Sequence, residues 1–594
     1  MGSAVVKLNR FYRDELNFLR LQGREFAEAH PQLTRFLSDE SMDPDVERLL
    51  EGFAFMTGRL REKVEDEFPE LTHSLLAMLW PNYLRPIPSA TIVRFDPHLH
   101  AISERQTLPR GTRLDSRPVQ DGIACHFRTC HEMAVDPLMV NDVHARHSRE
   151  VSELTLSLDV HSDQSPQAIG LDSLRLHLGG ERYTAQTLYL WLNHYLERVT
   201  VEADGQARTL PTDCLTPVGF DPADSLLPYP RNAFDGYRIL QEYLCFPEAF
   251  HFMDLGGLQR VLPDHPVERI TLKFLFGRTL PPDAAVDRES VQLHCTPAVN
   301  LFTHEADPID LNGRQTEYRV RPSTRQPRCF EVFSVDSVEG WLDEGQGRLR
   351  GAPRPYTPFE SFEHQIERER ERTALYYRVR VRESLRDDGF DHAISFVRGD
   401  ESECLHRNET ISLTLTCTNR ELPQQLAVGD LCVPTSSTPS FVAFRNITRP
   451  TPTLRPSLDG SLLWTLISNL SLNYQSLLSL DALKSVLRVY DFRALVDRQA
   501  ERVSQQRMAG IVDIETEPTD RLYRGLPVRG IRSKLTLDPR CFGSEGDLYL
   551  FGTVLSRFFG LYASINSFHL LDVVNQQNQE QYTWTCQAGQ QPLV

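Results

Sequence analysis

The hydrophobic positions change period along the chain, and the changes mark its sections. Over the first 85 or so residues they recur at three and four, the spacing of one helix face. Tyr12, Leu16, Leu19 and Phe26 form a stripe on a helix expected from Leu8 to Ala29, which His30-Pro31 stops. Val46, Leu49, Leu50, Phe53, Met56, Leu60 and Val64 form a second stripe, behind a cap at Asp43 and a first-position proline at Pro44. A third helical run, FPELTHSLLAMLW, ends at Pro81, and Pro81, Pro86 and Pro88 make a stiff exit from this segment.

From about Ala90 to Thr448 the period falls to two. Leu154, Leu156, Leu158 and Val160 alternate with polar residues, as do Leu174, Leu176 and Leu178, and Ile270, Leu272, Phe274 and Phe276 make another inward row. Val199 and Val201 ahead of Asp204-Gly205 predict one arm of a tight hairpin. The strands divide near residue 300 into two β-rich units. A proline-rich linker, Arg449 to Gly460, leads into a mixed segment with helices at 462–478 and 481–490 and strands near 511–515 and 531–537. Its strongest helix starts at Ser544, with Ser544 and Asp547 spaced as a capping box and Leu548, Phe551, Leu555, Phe558, Phe559 and Tyr562 as its buried side. The opposite side carries Gly552, Ser556 and Gly560, small enough for another backbone to approach. The expected class is multidomain α+β: a helical segment 1–85, a β-rich domain 86–300, a second β-rich domain 301–450 and a mixed α/β domain 451–594.

One stretch stands apart in aromatic density. FDGYRILQEYLCFPEAFHFMDL, residues 234–255, holds six aromatic rings. Asp235 is placed to cap a helix with Tyr237, Leu240 and Leu244 on one side and Ile239, Tyr243 and Phe246 on another, and Pro247 opens a second short helix that carries Phe250. A helix apolar on most of its circumference has to be covered on all sides, by other domains or by another chain.

Composition narrows the function. A chain of 594 residues suggests about three to five domains, and 40% hydrophobic with 24% charged residues is the balance of a soluble globular protein. The formal net charge of −17 opposes phosphate backbones and anionic lipid, so nucleic acid is not an expected partner. The 11 cysteines lack any CxxC pair and read as reduced thiols of a cytoplasmic protein. The opening MGSAVVKLNR has no signal-peptide pattern, and Val6 stands where myristoylation of Gly2 needs Ser or Thr. Arg557 interrupts the longest apolar stretch, Leu548 to Ile565, which argues against a membrane span.

Reactive motifs are missing. Cys125, His126, Cys130 and His131 are the most tempting metal ligands, but an extended strand points His126 and Cys130 away from Cys125 and His131. His294, Cys295, His304 and Glu305 have no recognised ligand spacing, and HEMAV and HEADP lack the second histidine of HExxH. There is no GxSxG, GxxxxGK[ST] or GxGxxG, so neither catalytic residue nor cofactor nor metal is expected. The alternating ERERER at 367–372 reads as a solvated surface or a segment ordered by a partner. Two other classes stay open at this level: a β-rich surface-binding module, which would expose rings on one sheet, and a carboxylate-dependent hydrolase, which needs two close carboxylates in a cleft.

Several long phrases resemble the TssF family, also called ImpG or VasA. They are RFYRDELNFLRLQGREFAEAHPQL, EDEFPELTHSLLAMLWPNYLRPIPS, the aromatic stretch above, CTPAVNLFTHEADPI, LTCTNRELP, LWTLISNLSLNYQSLLSL and LYLFGTVLSRFFGLYASINSF. These are baseplate proteins of the bacterial type VI secretion system. The resemblance implies a non-enzymatic wedge component, similar to those of contractile phage tails, with two TssF-like copies on one TssG. It also implies six wedges around the VgrG spike hub, TssK adaptors reaching the inner-membrane complex, and TssE and sheath subunits as further neighbours. On this footing Tyr12, Leu19, Phe26, Phe53 and Leu60 are expected to contribute to helical association with TssG. Tyr237, Tyr243, Phe246 and Phe250 are expected to brace a junction between β units or chains. Each of these residues fits a place in its own domain's core equally well.

Overall fold

The computed structural model describes residues 12–13, 16, 19, 44–65, 73, 75–77, 79–119, 122–230, 235–311, 315–342, 353–359, 375–384, 389–398, 409–458, 466, 479–523 and 526–589. The fold is α+β, and the chain forms two compact units from non-consecutive segments. One takes Met1–Arg85, Thr303–Cys417 and Pro456–Leu470; the other takes Pro86–Phe302, Thr418–Arg455 and Ser471–Val594.

In the first unit, helix α1 spans Pro44–Glu65. The strands Leu375–Glu383 and Phe390–Arg398 pair antiparallel, and Glu331–Leu342 and Glu409–Thr418 belong to a second sheet. Half-buried Arg85 lies over the Phe333 ring at 5.2 Å, and desolvation lowers its pKa to about 10 despite the neighbouring Asp336. Phe26 and the ERERER run lie outside the described residues, as does the expected helix at 462–478 except for Leu466.

The second unit begins with a six-stranded sheet ordered Leu431–Val433, Arg113–Ser116, His126–Thr129, Cys295–Val299, Ala90–Pro97, Val442–Asn446. Its inward side chains, among them Val93, Phe95, Leu114, Phe127, Leu431 and Phe444, make one core, and Phe95 faces Phe444 with ring centres 5.7 Å apart. The Asn446 amide accepts from the Leu431 N–H at 3.0 Å and donates to the Ala427 carbonyl at 3.0 Å, tying together the two ends of that order.

A five-stranded antiparallel sheet follows the alternating pattern closely. Ile270, Leu272 and Phe274 sit opposite Leu158, Leu156 and Leu154 in register, all buried. The hairpin after Val199 and Val201 turns at Asp204 and Gly205, with φ of 49° and 75°, the left-handed pair a two-residue turn requires.

The longer helices of this unit among the described residues are α2 Arg182–His194, α3 Asp235–Cys245, α4 Leu480–Tyr490, α5 Arg498–Gly510 and α6 Glu545–Tyr562. The Ser479 side chain caps α4 by accepting from the Ala482 N–H at 3.4 Å. The two C-terminal strands run much further than the local apolar pattern predicts, Ile511–Tyr523 and Leu526–Leu537, because cross-strand pairing extends a polar ribbon past its buried base. Phe568–Asn575 then pairs parallel to the second of them. No helix among the described residues is long and apolar enough to cross a membrane.

Candidate functional site

Helix α3 packs against α4 and α6 in the second unit. Tyr237 stacks on Tyr490 of α4 at 4.9 Å, meets Tyr562 of α6 edge-on at 5.9 Å, and the two hydroxyls of Tyr237 and Tyr562 hydrogen-bond. Tyr243 lies 6.2 Å from Phe551 of α6 and 6.2 Å from Phe250, with the Arg507 guanidinium 5.5 Å above its ring. Phe250 in turn packs on Phe220 at 5.1 Å, and Phe246 is buried beside them. All four aromatic residues are buried, and Tyr237 and Tyr243 pack α3 against α4 and α6 of their own unit.

Charge is buried in the same place, which apolar periodicity does not reveal. Arg238 is 2% exposed; it donates to Asp235, to Glu242 at 3.2 Å and to the Gly219 and Phe220 carbonyls at 3.2 and 2.9 Å. Asp235, expected as a cap, spends its carboxylate on this guanidinium. The other Glu242 oxygen accepts from the Leu226 N–H at 2.8 Å. Burial pushes the Glu242 carboxyl upward against the pull of Arg238, while Glu242 and Asp235 hold Arg238 protonated against its own desolvation. The signal was available in the sequence: Asp235, Arg238 and Glu242 stand three and four apart on one helix, the spacing of ion pairs.

A second buried knot fixes the start of α6. Ser544 caps it by accepting from the Asp547 N–H at 3.0 Å and donates its own hydroxyl to Gln186 at 2.7 Å. Asp547 does not close the expected box on Ser544; its carboxylate accepts from the Gly543 N–H at 3.2 Å, from Gln186 at 3.3 Å and from Arg507 at 3.3 Å. Here α6 touches the backbone of α2: a Cβ on Gly546 would stand 2.1 Å from the Gln186 carbonyl oxygen. Gly546→Ala is therefore expected to cost about 1–3 kcal/mol of stability, since backbone cannot yield as a side-chain end does. A urea midpoint unchanged from the parent would contradict that close approach.

The small side of α6 is filled from within the chain. A Cβ on Gly552 would meet Trp584 at 2.4 Å and one on Gly560 would meet Gln587 at 2.4 Å, and Ser556 is buried between them. The approaching segment is the protein's own C-terminal stretch, where the spacing alone pointed to another backbone without naming its source.

Helix α1 behaves differently. Leu49 is 74% exposed, Phe53 56% and Met56 66%, so one stripe of the helix faces outward while Ala54 is buried. Tyr12 and Leu19 are half-buried, and the side chain of Leu60 is outside the described set. Among the described residues, the exposed phenylalanines Phe53 and Phe55 both lie on this helix and not on a sheet.

Little in the described residues suits chemistry. His126 pairs with Asp115 at 2.7 Å and His131 bonds the Asp224 carbonyl at 2.8 Å, and no group of three or more metal-binding side chains gathers among the described residues. The carboxyls pushed upward, Asp224 and Glu242, each face an arginine, Arg175 or Arg238. A cavity lined by Ile87, Leu226, Gln241, Glu242, Cys245 and Phe246 measures about 20 Å³, room for one water and not for a substrate.

Comparison with known proteins agrees in one direction. The family model described as type VI secretion system, TssF, matches residues 5–591. The chain is 32% identical over 632 aligned positions to the type VI secretion system component TssF1 of Pseudomonas aeruginosa, covering 99% of each. Among solved structures it matches a chain of a TssK–TssF–TssG baseplate subcomplex with a TM-score of 0.76 and 31% identity, over 92% of this chain and 99% of that one. It also matches a chain of the type VI secretion system baseplate complex with a TM-score of 0.64 and 28% identity, over 99% and 100%.

Proposed function

The chain belongs to the TssF family of the type VI secretion system, and from that premise we propose that it works as a structural wedge subunit of the baseplate, two copies bound to one TssG. What carries the reading is near full-length likeness to a chain inside a baseplate subcomplex, joined to an apolar helix stripe, Leu49, Phe53 and Met56, that stands exposed. The two features divide the work. The α3 junction, ringed and charge-locked, holds one unit in a fixed shape; the α1 stripe offers apolar area to a neighbour.

Leu49, Phe53 and Met56 recur at four and three, the pattern by which one helix lies against others. In this reading Tyr12 and Leu19 extend the same contact with TssG, TssK docks the wedge toward the inner-membrane complex, and TssE, sheath subunits and the VgrG hub are the further neighbours. The protein then acts in the cytoplasm without chemistry of its own, transmitting load through interfaces.

Phe53→Arg tests the assignment. With Phe53 56% exposed, the variant is expected to keep the parent's circular dichroism and melting curve while losing about 2 kcal/mol or more of association, enough to abolish co-purification with TssG. Unchanged co-purification would remove α1 from the interface.

A further inference from the structure

We propose that the edge strand Ile511–Tyr523 is a docking strip for a short extended segment of a partner protein bearing lysine or arginine at alternate positions. The strand pairs only with Leu526–Leu537, and its other side meets no strand among the described residues. An edge of this length carries N–H and C=O groups outside the ladder that another chain can pair with. The outer part of the hairpin has even less support: only Ile531–Leu537 is backed by Phe568–Asn575, so the paired residues beyond stand as a two-stranded ribbon. Such ribbons are marginal in water until a further strand or surface covers them.

The side chains say what kind of strand fits. On one face, charge alternates strand by strand. Asp572 lies opposite Lys534 in register and binds Arg532 at 2.6 Å; Lys534 and Arg532 lie opposite Glu515 and Glu517 at 3.9 and 3.8 Å; and Asp513, Glu515 and Glu517 then face outward at the edge. The next strand in that series is basic, because opposite charges on neighbouring strands attract and like charges repel. A second copy cannot supply it. Over Asp513–Glu517, edge against edge would set acid on acid, and the basic residues Arg532 and Lys534 of a copy already have neighbours on both sides.

The backbone sets the extent. The Ile514 N–H does not enter the ladder; Asp513 accepts it at 2.8 Å, which places the outward groups at Ile514 and every second residue after it. Pro518 falls in that series, where its missing N–H breaks the outward ladder. Docking is thereby confined to the stretch around Ile514 and Thr516, with Glu515 and Glu517 reading the charge.

This inference rests on the assembly reading, and hydrogen exchange on the full chain, free and in the complex co-expressed with TssG and TssK, tests both. The expected result is that the Ile514 and Thr516 amides exchange about tenfold more slowly, or slower still, in the complex. The double variant Glu515→Lys, Glu517→Lys is expected to abolish that slowing, and so is Thr516→Pro, which keeps the charge. Equal exchange in both states would overturn the inference alone, as would slowing that survives charge reversal or a cross-link at Glu515 to a second copy. A chain recovered only as a free monomer would overturn it together with the wedge assignment.

Discussion

Replacing Arg238 with methionine is expected to lower the folding stability by about 3–5 kcal/mol, because it strips Glu242 of its counter-charge inside the protein. The carboxylate would keep the Leu226 N–H and lose the guanidinium that makes its burial tolerable. The double variant Arg238→Met, Glu242→Leu should recover most of that loss, since a buried pair replaced by apolar groups of similar volume is near neutral. Urea unfolding of the parent, both single variants and the double variant closes the cycle. A single variant within about 1 kcal/mol of the parent would show that the pair is not what locks α3.

The second large effect concerns acid. Burial lowers His131, His177 and His569 to about 3, with Arg175 adding to the effect on His131 and His251 to that on His177; His392 in the other unit falls to about 4 by burial, with Glu331 opposing. The sign follows from which state takes up protons. Above the ordinary value of 6.5 both folded and unfolded chains hold these rings neutral, so their stability contribution is constant there. Below it only the unfolded chain protonates, and stability falls until the folded rings titrate near 3 to 4. At about pH 5 each ring costs about 2 kcal/mol, so the three in the second unit together cost roughly 6 kcal/mol. Thermal melts at about pH 7.5, 6 and 5 should show a steep decline, and His177→Gln should flatten it. Salt-bridged carboxylates such as Asp115 and Asp172, held below the usual 3.8, act in the same direction only at lower pH. A melting temperature constant down to pH 5 would contradict the buried, neutral state of these rings.

What could be read from the chain depended on how local the cause was. The Leu154 and Ile270 rows, the Asp204-Gly205 turn and the starts of α4 and α6 came out as the pattern implied, since each is set by residues within a few positions. The reach of the Ile511–Tyr523 hairpin did not, because its outer half is polar and is held by pairing across strands. Nor did the cover on Gly552 and Gly560, which comes from Trp584 and Gln587 about 30 residues later. The α1 stripe shows the deepest limit. Periodicity finds an apolar face but cannot distinguish one that meets its own core from one left for another chain, and Leu49, Phe53 and Met56 are outward in this chain. In α3 and just after it, Tyr237, Tyr243, Phe246 and Phe250 are all buried. Family resemblance succeeded where folding logic stopped because it rests on the order of long phrases and not on who covers whom.

The central claim is that this protein is a structural subunit built to be assembled with TssG. Native mass measurement of the complex co-expressed with TssG tests it most directly. The account predicts one TssG carrying two copies of this chain, and a chain that stays monomeric beside folded TssG would contradict it.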